Sequence, residues 1–332
     1  MKHIFKILVP FFAIIIIIAG YFIYMNYKQK DFRNNIQTYI PGIACWGDSL
    51  TYGAGGNGVS YPSILEDLLL DSGFDLPVYN LGVGGESTLQ IMTRRGVYDI
   101  ETTEDITIPS TTEAIQISLA IHTDTGYQPL AILRQGNAGV ETVTISGIEG
   151  TLSIQQESIS SENYVYYFQR ATPGREMTIK EGTKLSIPGA KKYNNCIPII
   201  FMGTNGLWSS PDDLVQQCRQ MLYYQFSLNA DRYLILGLTT GTADERKDLE
   251  SVMENAFGKR YINLREYLSS NGLEDAGIEP TEQDREAMEK GEVPPSLKSD
   301  EIHLNQEGYT LIGKKVFERM KEIGYFDYKI KV

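Results

Sequence analysis

The chain has 332 residues, enough for one large or two modest domains, and 42 acidic side chains against 30 basic ones give a formal net charge of −12. With a pI near 4.9 and no Lys/Arg block, it lacks the basic surface that phosphate backbones require, which excludes a nucleic-acid partner. The three cysteines, Cys45, Cys196 and Cys218, make neither a disulfide framework nor a spaced zinc site. Cys45 and Cys196 sit in apolar runs and read as small buried hydrophobes.

From Ile7 to Met25 the chain is almost wholly apolar, with isoleucine unbroken over 14–18. About 20 such residues cross a bilayer core. A cleaved signal peptide has a shorter apolar core of about 7–15 residues, and no small-x-small cleavage site follows this run. Residues 1–26 are therefore expected to be an uncleaved transmembrane signal anchor that ties the protein to a membrane. Lys2 and Lys6 precede the run while Lys28, Lys30 and Arg33 follow it, so flanking charge does not choose an orientation.

A polar stalk (about 26–38) leads to short apolar runs at Ile43–Trp46, Val78–Leu81, Ile197–Met202 and Tyr233–Leu238. Runs of this kind fit parallel strands covered on both faces. Helical patterns lie between and after them, at Tyr61–Ser72, Pro211–Phe226, Ala243–Phe257 and Gln306–Ile323. In the first, Ile64, Leu65, Leu68 and Leu69 share a face; in the second, Asp212 and Asp213 follow Pro211 in the first turn, as helix starts favour. Alternating β and α elements predict an α/β fold with a doubly wound parallel sheet.

The span 104–194 departs from this rhythm. Alternating runs at Ile115–Leu119, Thr142–Ile145, Tyr164–Phe168, Met177–Ile179 and Leu185–Ile187, punctuated by Gly and Pro, predict an antiparallel β-rich insertion, a small sandwich or barrel. The expected organisation is thus an anchor (1–26), a first part of the α/β domain (27–103), the insertion (104–194) and a second part (195–332). By topology the insertion hangs from the amino-terminal edge of the sheet unless the preceding helix is short. His122 and Asp124 within it are only two ligands, too few for a metal site.

Gly47-Asp48-Ser49-Leu50-Thr51-Tyr52-Gly53 places a serine in a glycine-flanked turn straight after an apolar run. Far downstream, Asp300 precedes His303 by three residues. A hydroxyl becomes a nucleophile when a base takes its proton and a third group holds that base. Ser49, His303 and Asp300 supply those roles. Of the three histidines, His3 is in the N-terminal segment and His122 in the insertion, which leaves His303 as the base. The charged stretch Glu279–Glu292 reads as a solvated helix that positions the loop carrying Asp300.

Four blocks in order resemble the SGNH/GDSL hydrolases, a superfamily of esterases and acylhydrolases. They are GDSLTYG around Ser49, Asn80-Leu81-Gly82-Val83-Gly84-Gly85-Glu86-Ser87, Gly203-Thr204-Asn205, and Asp300 with His303 followed by Leu304-Asn305 and Gly308-Tyr309. Glu86 and Gly206 stand where an Asp is common in the family. The resemblance implies a flavodoxin-like doubly wound sheet and acyl transfer through a covalent serine ester. It also implies an oxyanion hole formed by the Ser49 and Gly85 N–H groups and the Asn205 side chain, with no cofactor and no metal. Asp48 and Trp208 are candidate substrate-pocket residues; core packing is the equal alternative for Trp208.

The expected activity is hydrolysis of ester-linked acyl groups, acetyl first, from carbohydrate by a membrane-anchored extracytoplasmic domain. Lipid-like or small esters, O-acetyl transfer to a cell-surface glycan by the same three side chains, and a non-catalytic carbohydrate-binding protein stand as alternatives.

Overall fold

The computed structural model describes residues 42–130, 142–156, 164–187, 191–223 and 231–326. The expected span at 7–25, the stalk and the end of the helix expected to reach Phe226 lie outside the described residues. Among the described residues no helix is long and apolar enough to cross a membrane.

The first strand, β1 (Ile43–Gly47), is buried throughout and turns directly into α1 (Ser49–Tyr52), a single helical turn. Helix α2 (Tyr61–Asp71) starts at a capping box of Ser60 and Ser63 with a proline in the first turn, and its buried Tyr61, Leu65 and Leu69 recur every four residues. Then come β2 (Val78–Gly82) and the short α3 (Thr88–Arg95), with two arginines in its last turn.

Ten strands follow. They are β3 (Asp99–Thr102), β4 (Ile106–Ile108), β5 (Ile115–Ile117), β6 (Leu119–Thr123), β7 (Gly126–Pro129), β8 (Val143–Ile145), β9 (Ile148–Gln156), β10 (Tyr164–Arg170), β11 (Met177–Ile179) and β12 (Lys184–Ser186). The chain then returns to strand–helix alternation with β13 (Ile197–Phe201), α4 (Pro211–Tyr223), β14 (Leu234–Leu236), α5 (Ala243–Phe257) and β15 (Tyr261–Ile262). It closes with α6 (Leu264–Ser270), α7 (Gly272–Ala276), α8 (Glu282–Glu289) and α9 (Gln306–Glu322).

The fold is mixed α/β with two principal sheets. One is five-stranded and parallel, in the order β15-β14-β13-β1-β2. Ala44 and Trp46 of β1 and Ile200 of β13 join a core with Ile91 and Met92 of α3, Leu214 and Cys218 of α4, and Leu249 and Met253 of α5. Side chains alternate along a strand, so Ile43 and Cys45 face the opposite side. There Tyr61 of α2 meets Phe201 with ring centroids 6.2 Å apart, and α9 packs along α2. Both faces are therefore covered, which is why these strands read as continuous apolar runs.

The expectation of a parallel sheet as the principal sheet needs correction: the larger sheet is antiparallel, with eight strands in the order β5-β10-β9-β8-β12-β3-β6-β7. A two-stranded ribbon, β4 with β11, accompanies it. Its core is its own, built on Ile100, Ile121, Val143, Ile145 and Phe168. The run Ile115–Leu119 belongs to two strands, β5 and β6, which are not neighbours in the sheet. The chain enters this sheet after only eight residues of α3, about 12 Å of helix, and leaves it into the amino end of β13.

Candidate active site

Parallel strands deliver their chemistry at their carboxyl ends, and in an open sheet the crevice opens where the strand order reverses. Here the reversal falls between β1 and β13: the chain first builds outward from β1 to β2, then returns to place β13 on the other side. Ser49 follows β1 and Asn205 follows β13, so both lie at that switch point. Gly85 follows β2.

The turn that carries Ser49 is tight. Gly82 at the end of β2 has no room for a side chain, since a Cβ there would lie 2.2 Å from the Tyr52 nitrogen and 2.8 Å from the Asp48 oxygen. The two strand ends can therefore touch. Asp48 accepts from the Leu50 N–H at 2.9 Å and so caps α1. It is fully buried. Burial pushes its carboxyl up to about 6, against the Leu50 bond. The Thr204 side chain lies beside this carboxyl and, with the Leu50 bond, opposes the rise.

The loop before α9 brings the remaining groups to Ser49. His303 Nε2 lies 2.9 Å from Ser49 Oγ, and His303 Nδ1 lies 2.8 Å from Asp300 Oδ2. The other Asp300 oxygen accepts from the Ile302 N–H at 2.8 Å and the His303 N–H at 2.7 Å. These bonds, the His303 N–H first among them, hold the Asp300 carboxyl down at about 2. An ionised carboxylate only accepts, so Nδ1 carries the ring proton and Nε2 is left to accept from the serine hydroxyl. A sequence spacing of three lets one aspartate hold both the backbone and the ring of the same histidine.

That loop is braced from α8. Asp284, fully buried, accepts from the Ser296 N–H at 2.9 Å and the Ser296 hydroxyl at 2.7 Å, and Asn305 Nδ2 donates to the Ser296 carbonyl at 2.8 Å. Burial alone would raise the Asp284 carboxyl, but its bonds from Ser296 and Thr281 hold it at about 2. The helix over 282–289 is thus not solvated all round. The Thr281-to-Asp284 spacing of a capping box was the available signal for it.

Gly85 is exposed with φ of +79°, a left-handed conformation natural to glycine. Its N–H and that of Ser49 donate to no acceptor among the described residues. Asn205 Nδ2 donates to the Glu86 carbonyl at 2.9 Å, which ties its loop to that of Gly85 and leaves a second N–H on the amide. Trp208 is half-buried, packs against the parallel-sheet core and donates its indole N–H to the Gly203 carbonyl at 2.8 Å.

Sequence reasoning missed the ion pair beneath these loops. Arg94 and Glu86 are almost fully buried, with Nε 2.7 Å from Oε2. Arg94 also donates to the Leu81 carbonyl at 2.9 Å and the Gly47 carbonyl at 3.3 Å, and its guanidinium lies 5.5 Å from the Trp46 ring centroid. One side chain thus joins the ends of β1 and β2 to the Gly85 loop. Burial pushes the Glu86 carboxyl up to about 7, with Arg94 opposing. The pair of arginines closing α3 was the only sequence hint.

In the antiparallel sheet, His122 stacks on Tyr127 at 4.9 Å with Nδ1 3.2 Å from Glu101. Among the described residues no three His, Cys, Asp or Glu side chains are grouped to hold a metal ion. All three cysteines are buried and unpaired with one another.

No family model matches the chain and no curated protein matches it. A solved structure described as "Peptidoglycan O-acetylesterase in action, 5 min" aligns with 89% of this chain and 95% of its own, at 11% identity and a TM-score of 0.31. A likeness that slight carries no weight for fold or activity.

Proposed function

We propose that the chain is a serine esterase of the SGNH/GDSL type that removes ester-linked acyl groups, acetyl first, from carbohydrate. The observation that carries this reading is the hydrogen-bonded relay from Asp300 through His303 to Ser49. The 2-1-3-4-5 strand order of the parallel sheet, which is the flavodoxin-like order, supports it by opening a crevice beside Ser49.

In this mechanism His303 Nε2 takes the Ser49 proton as Oγ attacks the ester carbonyl carbon, and Asp300 stabilises the imidazolium. The Ser49 and Gly85 N–H groups and the Asn205 amide receive the developing oxyanion. Collapse breaks the bond to the alcohol, which leaves with the proton from His303. Water then gives its proton to His303 and its oxygen to the acyl carbon, the acid departs, and Ser49 regains its proton.

The apolar run at 7–25 anchors this domain to a membrane, with the catalytic part on the extracytoplasmic side and the β-rich span as an insertion within it. The test is intact-mass detection of fluorophosphonate labelling on the full chain in detergent. One adduct per chain that disappears in Ser49→Ala is expected. A folded wild type that takes no label refutes the reading.

A further inference from the structure

Each of the three groups assigned to the oxyanion leads back to one buried ion pair. The Asn205 amide is aimed by its bond to the Glu86 carbonyl at 2.9 Å. Gly85 is the residue next to that same Glu86. Ser49 lies two residues beyond Gly47, whose carbonyl accepts from Arg94 Nη2 at 3.3 Å and from the Val83 N–H at 3.1 Å. Arg94 Nη2 also donates to the Leu81 carbonyl at 2.9 Å, while its Nε lies 2.7 Å from Glu86 Oε2. One guanidinium thus holds the chain before Ser49, the end of β2, and the residue that both adjoins Gly85 and orients Asn205. Both side chains of the pair are 2% exposed.

Stability is a poor reason for such an arrangement. Taking two charges out of water is costly, and well-packed apolar side chains of similar volume often serve as well or better. What an apolar pair lacks is direction: the planar fork of arginine fixes oxygen atoms at set angles. Oxyanion donors act by being in place before the charge arrives, and a displacement of about 1 Å costs about 10²-fold in rate. We propose that Arg94, through Glu86 and the Gly47 and Leu81 carbonyls, is the positioning residue for the oxyanion hole. Asn205, Gly85 and Ser49 receive the charge; Arg94 touches none of the reacting atoms and acts through the frame that carries those three. This rests on the serine esterase reading above.

The test compares full-length wild type, Arg94→Met/Glu86→Gln and Arg94→Lys on p-nitrophenyl acetate at pH 8, above the Glu86 value of about 7. The double variant leaves no buried charge of this pair, so urea unfolding should show most of the wild-type stability. Its kcat should nonetheless fall by about 10–100-fold, with KM within about twofold. Arg94→Lys keeps a charge opposite Glu86 but not the fork, and its kcat should fall by about tenfold. A stable double variant with kcat within about threefold of wild type, or a loss carried by KM instead, overturns the assignment and leaves the pair a structural brace alone. If the double variant fails to fold, Arg94→Lys decides by the same two constants. A wild type that neither turns over p-nitrophenyl acetate nor takes the fluorophosphonate label overturns the esterase reading and this assignment with it.

Discussion

Replacing Asp48 with asparagine should stabilise the protein, and only at high pH. The side chain is fully buried and its carboxyl is raised from 3.8 to about 6 by that burial. At about 1.4 kcal/mol per unit, the rise corresponds to about 3 kcal/mol of penalty on the charged form. Because the folded value lies above the unfolded one, the stability is fully present below pH 3.8 and is lost as pH rises through about 6. Asparagine keeps the oxygen that accepts from the Leu50 N–H and never ionises. Wild type and variant should therefore match near pH 4, while near pH 8.5 the variant should be more stable by about 3 kcal/mol. Glu86 is also raised, to about 7, partly by the Asp48 charge, so the slope that remains in the variant should be shallower than that of the wild type. Urea unfolding at both pH values gives the comparison; with an m-value of about 3 kcal/mol/M for a chain of this size, the midpoints should separate by about 1 M at the higher pH. A difference that is constant across pH, or a variant less stable at pH 8.5, would show that Asp48 does not bear a desolvation penalty.

Arg94→Met should cost about 3–5 kcal/mol, because it strands the Glu86 carboxylate in the interior, and adding Glu86→Gln should recover much of that loss; a double-mutant cycle in urea measures both. A loss below about 1 kcal/mol for the single change would refute the pairing as a structural brace. Asn205→Ala, at an exposed position, should leave the melting temperature nearly unchanged and lower kcat on p-nitrophenyl acetate by about 10²–10³, with little effect on KM. A twofold loss would remove Asn205 from the list of oxyanion donors.

The positions of Ser49, Asp300 and His303 were legible because their signals are local: a glycine-flanked turn after a buried run, and a spacing of three that lets one carboxylate grip a neighbouring histidine. Strands β1, β13 and β14 were legible because burial on both faces leaves an unbroken apolar run. What was hidden depends on tertiary placement. Nothing in Glu86 or Arg94 alone says that they meet eight residues apart in the interior, and Asp284 looks like any acidic residue on a charged helix until Ser296 folds over it. Ile115–Leu119 reads as one strand by alternation, yet Ser118 divides it between two. Strand β15 has only two residues, too few for any periodicity. The antiparallel sheet could be expected as β-rich, but the order of its strands is set by pairings between distant segments, such as β3 with β12, that no single run announces.

The hydrogen bond between Ser49 and His303 joins residues 254 positions apart, and that separation has a meaning in time. At about 5–20 residues per second of synthesis, roughly 10–50 s pass between the making of the serine and the making of the histidine. Throughout that interval the growing polypeptide holds a hydroxyl with nothing to take its proton. A chain cut short before residue 303 therefore lacks the imidazole on which the proposed relay from Asp300 to Ser49 depends.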